Sequence, residues 1–291
     1  MARQVGPTVA RERLRQRLRE LRDRSDLSVS DVATAMEWSP SKLSRIEKGD
    51  VTVQPLEVRA LLNLYRVDDE SEIHALTGLA RNSRTRQWYS KHRLNGDYQK
   101  FVAYEYEATR INIWQVLFIP GILQSRDYAR AVTALATRRG PDDEGVMARV
   151  ELRLDRQRAF RERLRLPDPP RIVAVIDESA LRRPIGGPEV FVGQLDRLLE
   201  LGKDPTAYTI AVMPLDLARH PGLTGTFELL EFAGLGPDVL FVEAAAATDD
   251  LTIDPVTTEF YRGVMADLLD VAVKGEAALD LIRGIRATFA A

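Results

Sequence analysis

The 291-residue chain contains no cysteine. Disulfides, cysteine-ligated zinc and thiol catalysis are excluded, and the composition suits a reducing compartment. Histidine is scarce: His74, His92 and His220 are scattered singly, which leaves little for a metal site. No apolar run approaches the roughly 20 residues that a membrane helix needs. Residues 1–7 lack the apolar stretch of a signal peptide. The expectation is a cytoplasmic protein that does not touch the membrane.

Catalytic signatures are missing too. The chain has no P-loop, no G-x-G-x-x-G and no G-x-S-x-G. Gly186-Gly187-Pro188 reads as a turn before a helix. Asp249, Asp250 and Asp254 lack EF-hand spacing and read as a solvated acidic loop. Asp177-Glu178 follows an apolar run, a place that suits either a helix cap or a catalytic acid. His220 precedes Pro221-Gly222 and reads as a loop residue. With no nucleophile and base set by spacing, neither an enzyme activity nor a cofactor or metal is expected.

Net charge is only −2, but it is unevenly spread. Residues 1–24 hold eight arginines and three acids. Residues 81–93 hold Arg81, Arg84, Arg86, Lys91 and Arg93 and no acid. Residues 225–270 hold ten acids against Arg262 alone. A basic front and an acidic rear suit a protein that meets phosphate at one end; the acidic segment would suit a basic partner.

Punctuation at the front is dense. Leu14, Leu18 and Leu21 recur at helical spacing over 8–24. Ser28-Val29-Ser30-Asp31 is a capping-box start for a second helix that carries Val32, Ala33 and Met36. Ser39 is placed to cap a third helix, Pro40 fits its first position, and Gly49 ends it. Pro55 opens a fourth helix with Leu56, Leu61, Leu62 and Tyr65. Ile73, Leu76 and Leu79 mark a fifth. Five short helices form a helix-turn-helix domain over 1–80, and 81–93 is a basic linker.

Residues 94–291 form the second domain. Helical patterns cover 98–113, 125–138 and 143–165. Apolar runs predict strands over 172–176, 208–213, 226–232 and 239–242. Helices follow over 188–202, 255–273 and 276–289. Helices first, strands later and helices last make this domain α+β, and the whole chain multidomain behind its all-α head.

The third helix is apolar through Leu43 and Ile46 and polar elsewhere, the pattern of a helix that enters a DNA major groove. Arg13, Arg17, Arg24 and Lys48 can neutralise phosphates, and Ser28 and Ser39 can hold them through hydroxyl and amide groups. Arg45 can fork onto a guanine, discriminating by roughly 1–3 kcal/mol. Pro40 and Ser41 are short enough for close approach, and Lys42 can reach a base or a phosphate. Among the crowded aromatics, Trp88, Tyr89, Tyr104, Trp114 and Phe118 are candidates to line a pocket or a partner groove.

The segment Ser39-Pro40-Ser41-Lys42-Leu43-Ser44-Arg45-Ile46-Glu47-Lys48-Gly49 resembles the xenobiotic-response-element (Cro/repressor-like) regulators. The remainder resembles one large antitoxin-like subgroup of them with a C-terminal domain of unknown function. It does so through Trp88-Tyr89, Glu105 with Ala108, Ile119 to Gln124, Tyr128 to Ala131, Arg153 to Gln157, Asp177 to Arg183 and Gln194-Leu195. The resemblance implies a homodimer on a (pseudo)palindromic operator of double-stranded DNA. It also implies a small partner protein encoded nearby and bound through the C-terminal half. It assigns base reading to Pro40, Ser41 and Arg45, phosphate contact to Ser28 and Ser44, and an inter-helix ion pair to Arg22 and Glu47. Two positions depart from the family: Val29 stands where glutamine usually holds a phosphate, and Glu37 fills a turn position usually taken by glycine. The expected function is sequence-specific transcriptional regulation, with the C-terminal domain binding the partner protein or a signal molecule. The alternatives are a small-molecule receptor-regulator with no protein partner, or an enzyme domain tethered to DNA by the head.

Overall fold

The computed structural model describes residues 5–85, 87–92, 96–223, 225–242 and 250–289. Arg86, Arg93 and Asp249, named above, lie outside them. The chain divides into two compact units, one over Met1–Lys91 with Ala233–Gly236 and one over His92–Phe232 with Pro237–Ala291. Among the described residues, no helix is long and apolar enough to cross a membrane.

The first unit is all-helical. Helices α1 (Pro7–Arg24), α2 (Val29–Ala35), α3 (Pro40–Lys48), α4 (Pro55–Leu64) and α5 (Glu70–Asn82) follow one another through short connections. Proline begins α1, α3 and α4, where its missing N–H costs nothing. Leu14, Leu18, Val32, Leu43, Ile46, Leu61 and Leu62 meet in one core, each almost fully buried. Single turns of 3₁₀ helix occur at Trp88–Lys91 and, in the second unit, at Gly121–Leu123.

The second unit holds a six-stranded mixed sheet. Its elements are α6 (Gly96–Glu107), β1 (Arg110–Gln115), α7 (Arg126–Thr137), α8 (Glu144–Arg163), β2 (Arg171–Asp177), α9 (Glu178–Leu181), α10 (Pro188–Leu201), β3 (Tyr208–Met213), β4 (Phe227–Glu231), β5 (Val239–Val242), β6 (Asp250–Thr252), α11 (Pro255–Val271) and α12 (Glu276–Ala287). Strand order is β3-β2-β1-β4-β5-β6. Strands β1, β2 and β3 run parallel, and β4, β5 and β6 pair antiparallel. Parallel neighbours need helical crossovers, supplied by α7 with α8 and by α9 with α10. Helix α11 buries Val264, Met265 and Leu268 against one sheet face, where Trp114, Val173, Ala211, Leu229 and Leu240 lie. On the other face Phe101 of α6 stacks on Phe241 at 4.0 Å, and Phe160 of α8 meets Tyr208 at 5.6 Å.

The structure corrects one expected element and adds another. The helix read over 98–113 stops at Glu107, and 110–115 is β1, a central strand. Residues 111–115 are buried throughout, on both sheet faces. Such a strand has no solvent face to give it clean period-two alternation, and its polar Asn112 and Gln115 are buried too, so periodicity does not tell it from helix. Strand β6 is a three-residue edge that begins at Asp250, inside the stretch read as an acidic loop.

Candidate nucleic-acid interface

Helix α2 begins in a closed capping box. The Ser28 hydroxyl accepts from the Asp31 amide at 3.2 Å, and the Ser28 amide donates to the Asp31 carboxylate at 2.9 Å. The helix ends at Ala35 with Met36 as its C-cap, and Glu37 turns the chain at φ 54°. The Trp38 amide then donates to the Ala33 carbonyl at 2.8 Å, closing the turn. The Ser39 hydroxyl accepts from the Lys42 amide at 3.3 Å and caps α3. Gly49 ends α3 at φ 81°, where an added Cβ would also come within 3.1 Å of Arg15 Cδ.

This frame gives α3 two unlike sides. Leu43 and Ile46 are buried in the head core, while Pro40, Ser41, Arg45 and Lys48 are exposed. The Arg45 guanidinium has no hydrogen bond or ion pair among the described residues. Neither do the side chains of Arg13, Arg24 and Lys48, which are likewise exposed. Of the candidates named from the sequence, Arg13, Arg24 and Lys48 are therefore left open to phosphate, and Arg45 to base edges.

Two candidates are taken up inside the protein. Arg17 Nε donates to Glu72 at 2.6 Å and its Nη1 to Glu20 at 2.9 Å. These bonds raise its pKa and spend its charge, so Arg17 is a structural group rather than a free phosphate anchor. Lys42 Nζ donates to Glu57 at 2.7 Å and lies 3.9 Å above the Trp38 ring. It is thereby held back from base reading in this state. The Ser28 hydroxyl also donates to Asp31 at 2.6 Å, the Ser39 and Ser41 hydroxyls share a bond of 2.9 Å, and Ser44 is half-buried.

Arg22 and Glu47 form a forked pair, Nε to Oε1 at 2.7 Å and Nη2 to Oε2 at 3.2 Å. Arg22 Nη1 also donates to the Leu27 carbonyl at 3.0 Å, and the bonds to Glu47 raise the Arg22 pKa. Arg15, which no motif singles out, donates to the Glu47 carbonyl at 3.2 Å and so ties α1 to the end of α3. Glu57 and Trp38 are equally silent in sequence, because their partner sits on another element.

Most aromatic residues named above as pocket or partner candidates belong to cores, which corrects that expectation. Trp114 is fully buried, and its Nε1 donates to the Gly222 carbonyl at 3.2 Å. Tyr104 is buried with its ring edge-on to Phe232, and Tyr89 is buried with its hydroxyl 3.3 Å from that of Thr8. Trp88 and Phe118 are half-buried.

At the end of β2, Asp177 caps α9 by accepting from the Ser179 amide at 2.9 Å. His220 Nδ1 accepts from the Gly222 amide at 3.0 Å, which fixes the proton on Nε2, 3.4 Å from Asp177 Oδ2. Both ring nitrogens are thus committed to holding a loop. Glu178 pairs with Arg182 and accepts from the Leu215 amide at 3.3 Å. Gly186 and Gly187 form a left-handed turn at φ 88° and 90°, and Asp254 caps α11 through the Thr257 amide. No group of three or more His, Asp or Glu side chains is gathered for a metal among the described residues.

A capped helix, a tight turn and a second helix with one polar face make the head a helix-turn-helix, and residues 13–76 match a helix-turn-helix domain family. The protein is a DNA-binding regulator. Residues 98–284, well over half of the chain, match the family described as a domain of unknown function (DUF5753), and the chain belongs to that family. No curated protein and no solved structure matches the chain significantly.

Proposed function

We propose that the protein is a sequence-specific transcriptional regulator of the xenobiotic-response-element type, acting in the cytoplasm as a homodimer on a (pseudo)palindromic operator. The observation that carries this reading is the Arg45 guanidinium, exposed and unpaired on a helix whose opposite side is locked into the core. Arg45 reads a guanine, while Pro40 and Ser41 contact the neighbouring bases. Arg13, Arg24 and Lys48 anchor the backbone. Two copies set their α3 helices about 34 Å apart, one turn of DNA.

The C-terminal domain acts by binding rather than by catalysis. Its ligand, an antitoxin-type partner protein or a small molecule, shifts DNA affinity by binding one state of the regulator more tightly than the other.

Sequencing the genomic fragments that the protein retains would define the operator. On that operator Arg45→Ala should cost about 1–3 kcal/mol and relax preference at one position per half-site. Arg13→Ala should weaken all sequences alike and reduce the salt slope by about one. Identical behaviour of both variants on operator and random DNA overturns the division into readers and anchors.

A further inference from the structure

We propose that Arg161 and Arg197 form a binding site for an oxyanion, the phosphate or carboxylate group of a small molecule, in the C-terminal domain. Both guanidiniums converge on Gln157. Arg161 Nε donates to the Gln157 carbonyl at 3.3 Å, and Arg197 Nη2 donates to Gln157 Oε1 at 2.9 Å. Arg197 Nε also donates to the Gln124 carbonyl at 3.1 Å, which fixes the plane of its fork. Arg197 Nη1 and both Nη groups of Arg161 have no acceptor among the described residues, and neither arginine has a carboxylate within ion-pair distance.

Three other sheltered arginines are neutralised instead. Arg17, Arg22 and Arg156 each have a glutamate. Arg197 is half-buried, and burial together with the like charge of Arg161 pushes its pKa down. A sheltered cation beside a second cation is costly unless an anion joins them. Guanidinium forks match planar or tetrahedral oxyanions through paired N–H donors. The buried Tyr208 stands beside the pair: burial raises its pKa and the two guanidiniums counter that rise. The Gln157 amide also donates to the carbonyls of Gly121 and Gln124, at 3.2 and 2.8 Å, so a bound anion would bear on the loop over 119–124.

The site supplies a ligand class for the receptor reading of this domain, and its test does not involve DNA. The full chain is melted in inorganic phosphate, in citrate, and in sodium chloride of equal ionic strength. Phosphate or citrate at about five times its Kd should raise the Tm by about 2–4 °C over the chloride control. A response to one anion alone identifies the oxyanion. Arg161→Gln, at an exposed position, should keep or slightly raise the chloride Tm and lose the response, and Arg197→Gln should lose it as well. No shift beyond chloride, or an undiminished shift in Arg161→Gln, overturns the proposal.

Discussion

Lys42 Nζ lies 2.7 Å from Glu57 Oε1 and 3.9 Å above the ring of Trp38. A cation at the leading end of the recognition helix is thus spent inside the head. Burial pushes the Glu57 carboxyl up, but the bonds from Lys42 and from the Gln54 amide outweigh it and leave its pKa lowered. Both side chains are partly exposed, so the pair contributes at most about 1 kcal/mol. Glu57→Gln can still accept from the Gln54 amide while it releases Lys42. We expect tighter binding to any duplex, with the slope of log K against log salt steeper by about 0.9. Titrations between 50 and 200 mM salt check this, and an unchanged slope means that Lys42 does not reach DNA.

Glu37 turns the chain between α2 and α3 at φ 54°, a conformation that costs a residue bearing Cβ about 1–2 kcal/mol. Its carboxylate is exposed beside the surface expected to meet phosphate. Glu37→Gly should stabilise the head by about 0.5–1 kcal/mol, the relief of strain less the extra chain entropy of glycine. It should also tighten DNA binding. Glu37→Gln separates the two effects, since it removes the charge and keeps the strained backbone. Urea unfolding and DNA titration of both variants decide between them; no gain in stability for the glycine variant would mean that the turn is unstrained.

These two residues mark where sequence reading succeeds and where it stops. The head's helices announce their own ends: Ser28 with Asp31, Ser39 with Pro40, and Gly49 are local signals with local causes. Glu37 is legible in the same way, as a residue standing where a turn favours glycine. The Lys42–Glu57 contact joins side chains 15 residues apart on different helices, and packing alone decides whether they meet. Strand β1 fails for the opposite reason. Ile111 to Gln115 mix apolar side chains with the buried polar Asn112 and Gln115, so their pattern does not mark one face as core and the other as solvent. The aromatic cluster around Trp114 misleads as well, because large apolar side chains suit a core and a ligand pocket equally.

Acid should loosen both units through their capping carboxylates. Hydrogen bonds from the hydroxyls of Ser28, Thr206 and Thr257 lower the pKa of Asp31, Asp204 and Asp254, and a bond from Arg139 lowers that of Asp143. A carboxylate whose pKa is depressed by folding adds stability above its unfolded value, about 3.9, and loses it as pH falls through the lower folded value. The stability gap between the wild type and Asp31→Asn should therefore be constant above pH 5 and close between about pH 4 and 2. Denaturant midpoints at stepped pH measure the gap; one that persists at pH 2 would mean that the ionised carboxylate is not what holds the cap.

The deepest ion pair among the described residues lies in the second unit. Arg156 Nε donates to Glu105 at 2.6 Å, its Nη2 donates to the other carboxylate oxygen, and its Nη1 donates to the Tyr98 hydroxyl at 3.1 Å. The side chains are 5% and 4% exposed, against 12% and 10% for Arg22 and Glu47 in the head. Burial disfavours the charged Arg156, and Glu105 more than compensates, so its pKa is raised well above the ordinary value. Removing the carboxylate leaves that cation in the core with the phenol, the Phe101 ring face 5.1 Å away and the more distant charge of Glu228. Glu105→Gln should cost about 3–5 kcal/mol. Glu47→Gln, at a wetter site where Arg22 keeps the Leu27 carbonyl, should cost less. Replacing both partners, Glu105→Leu with Arg156→Met, should recover most of the loss, because it removes the stranded charge rather than the attraction alone. Denaturant unfolding of the single and double variants completes the cycle. A double variant no better than Glu105→Gln would locate the stability in the wider hydrogen-bond network around Tyr98 instead of in the pairing of the two charges.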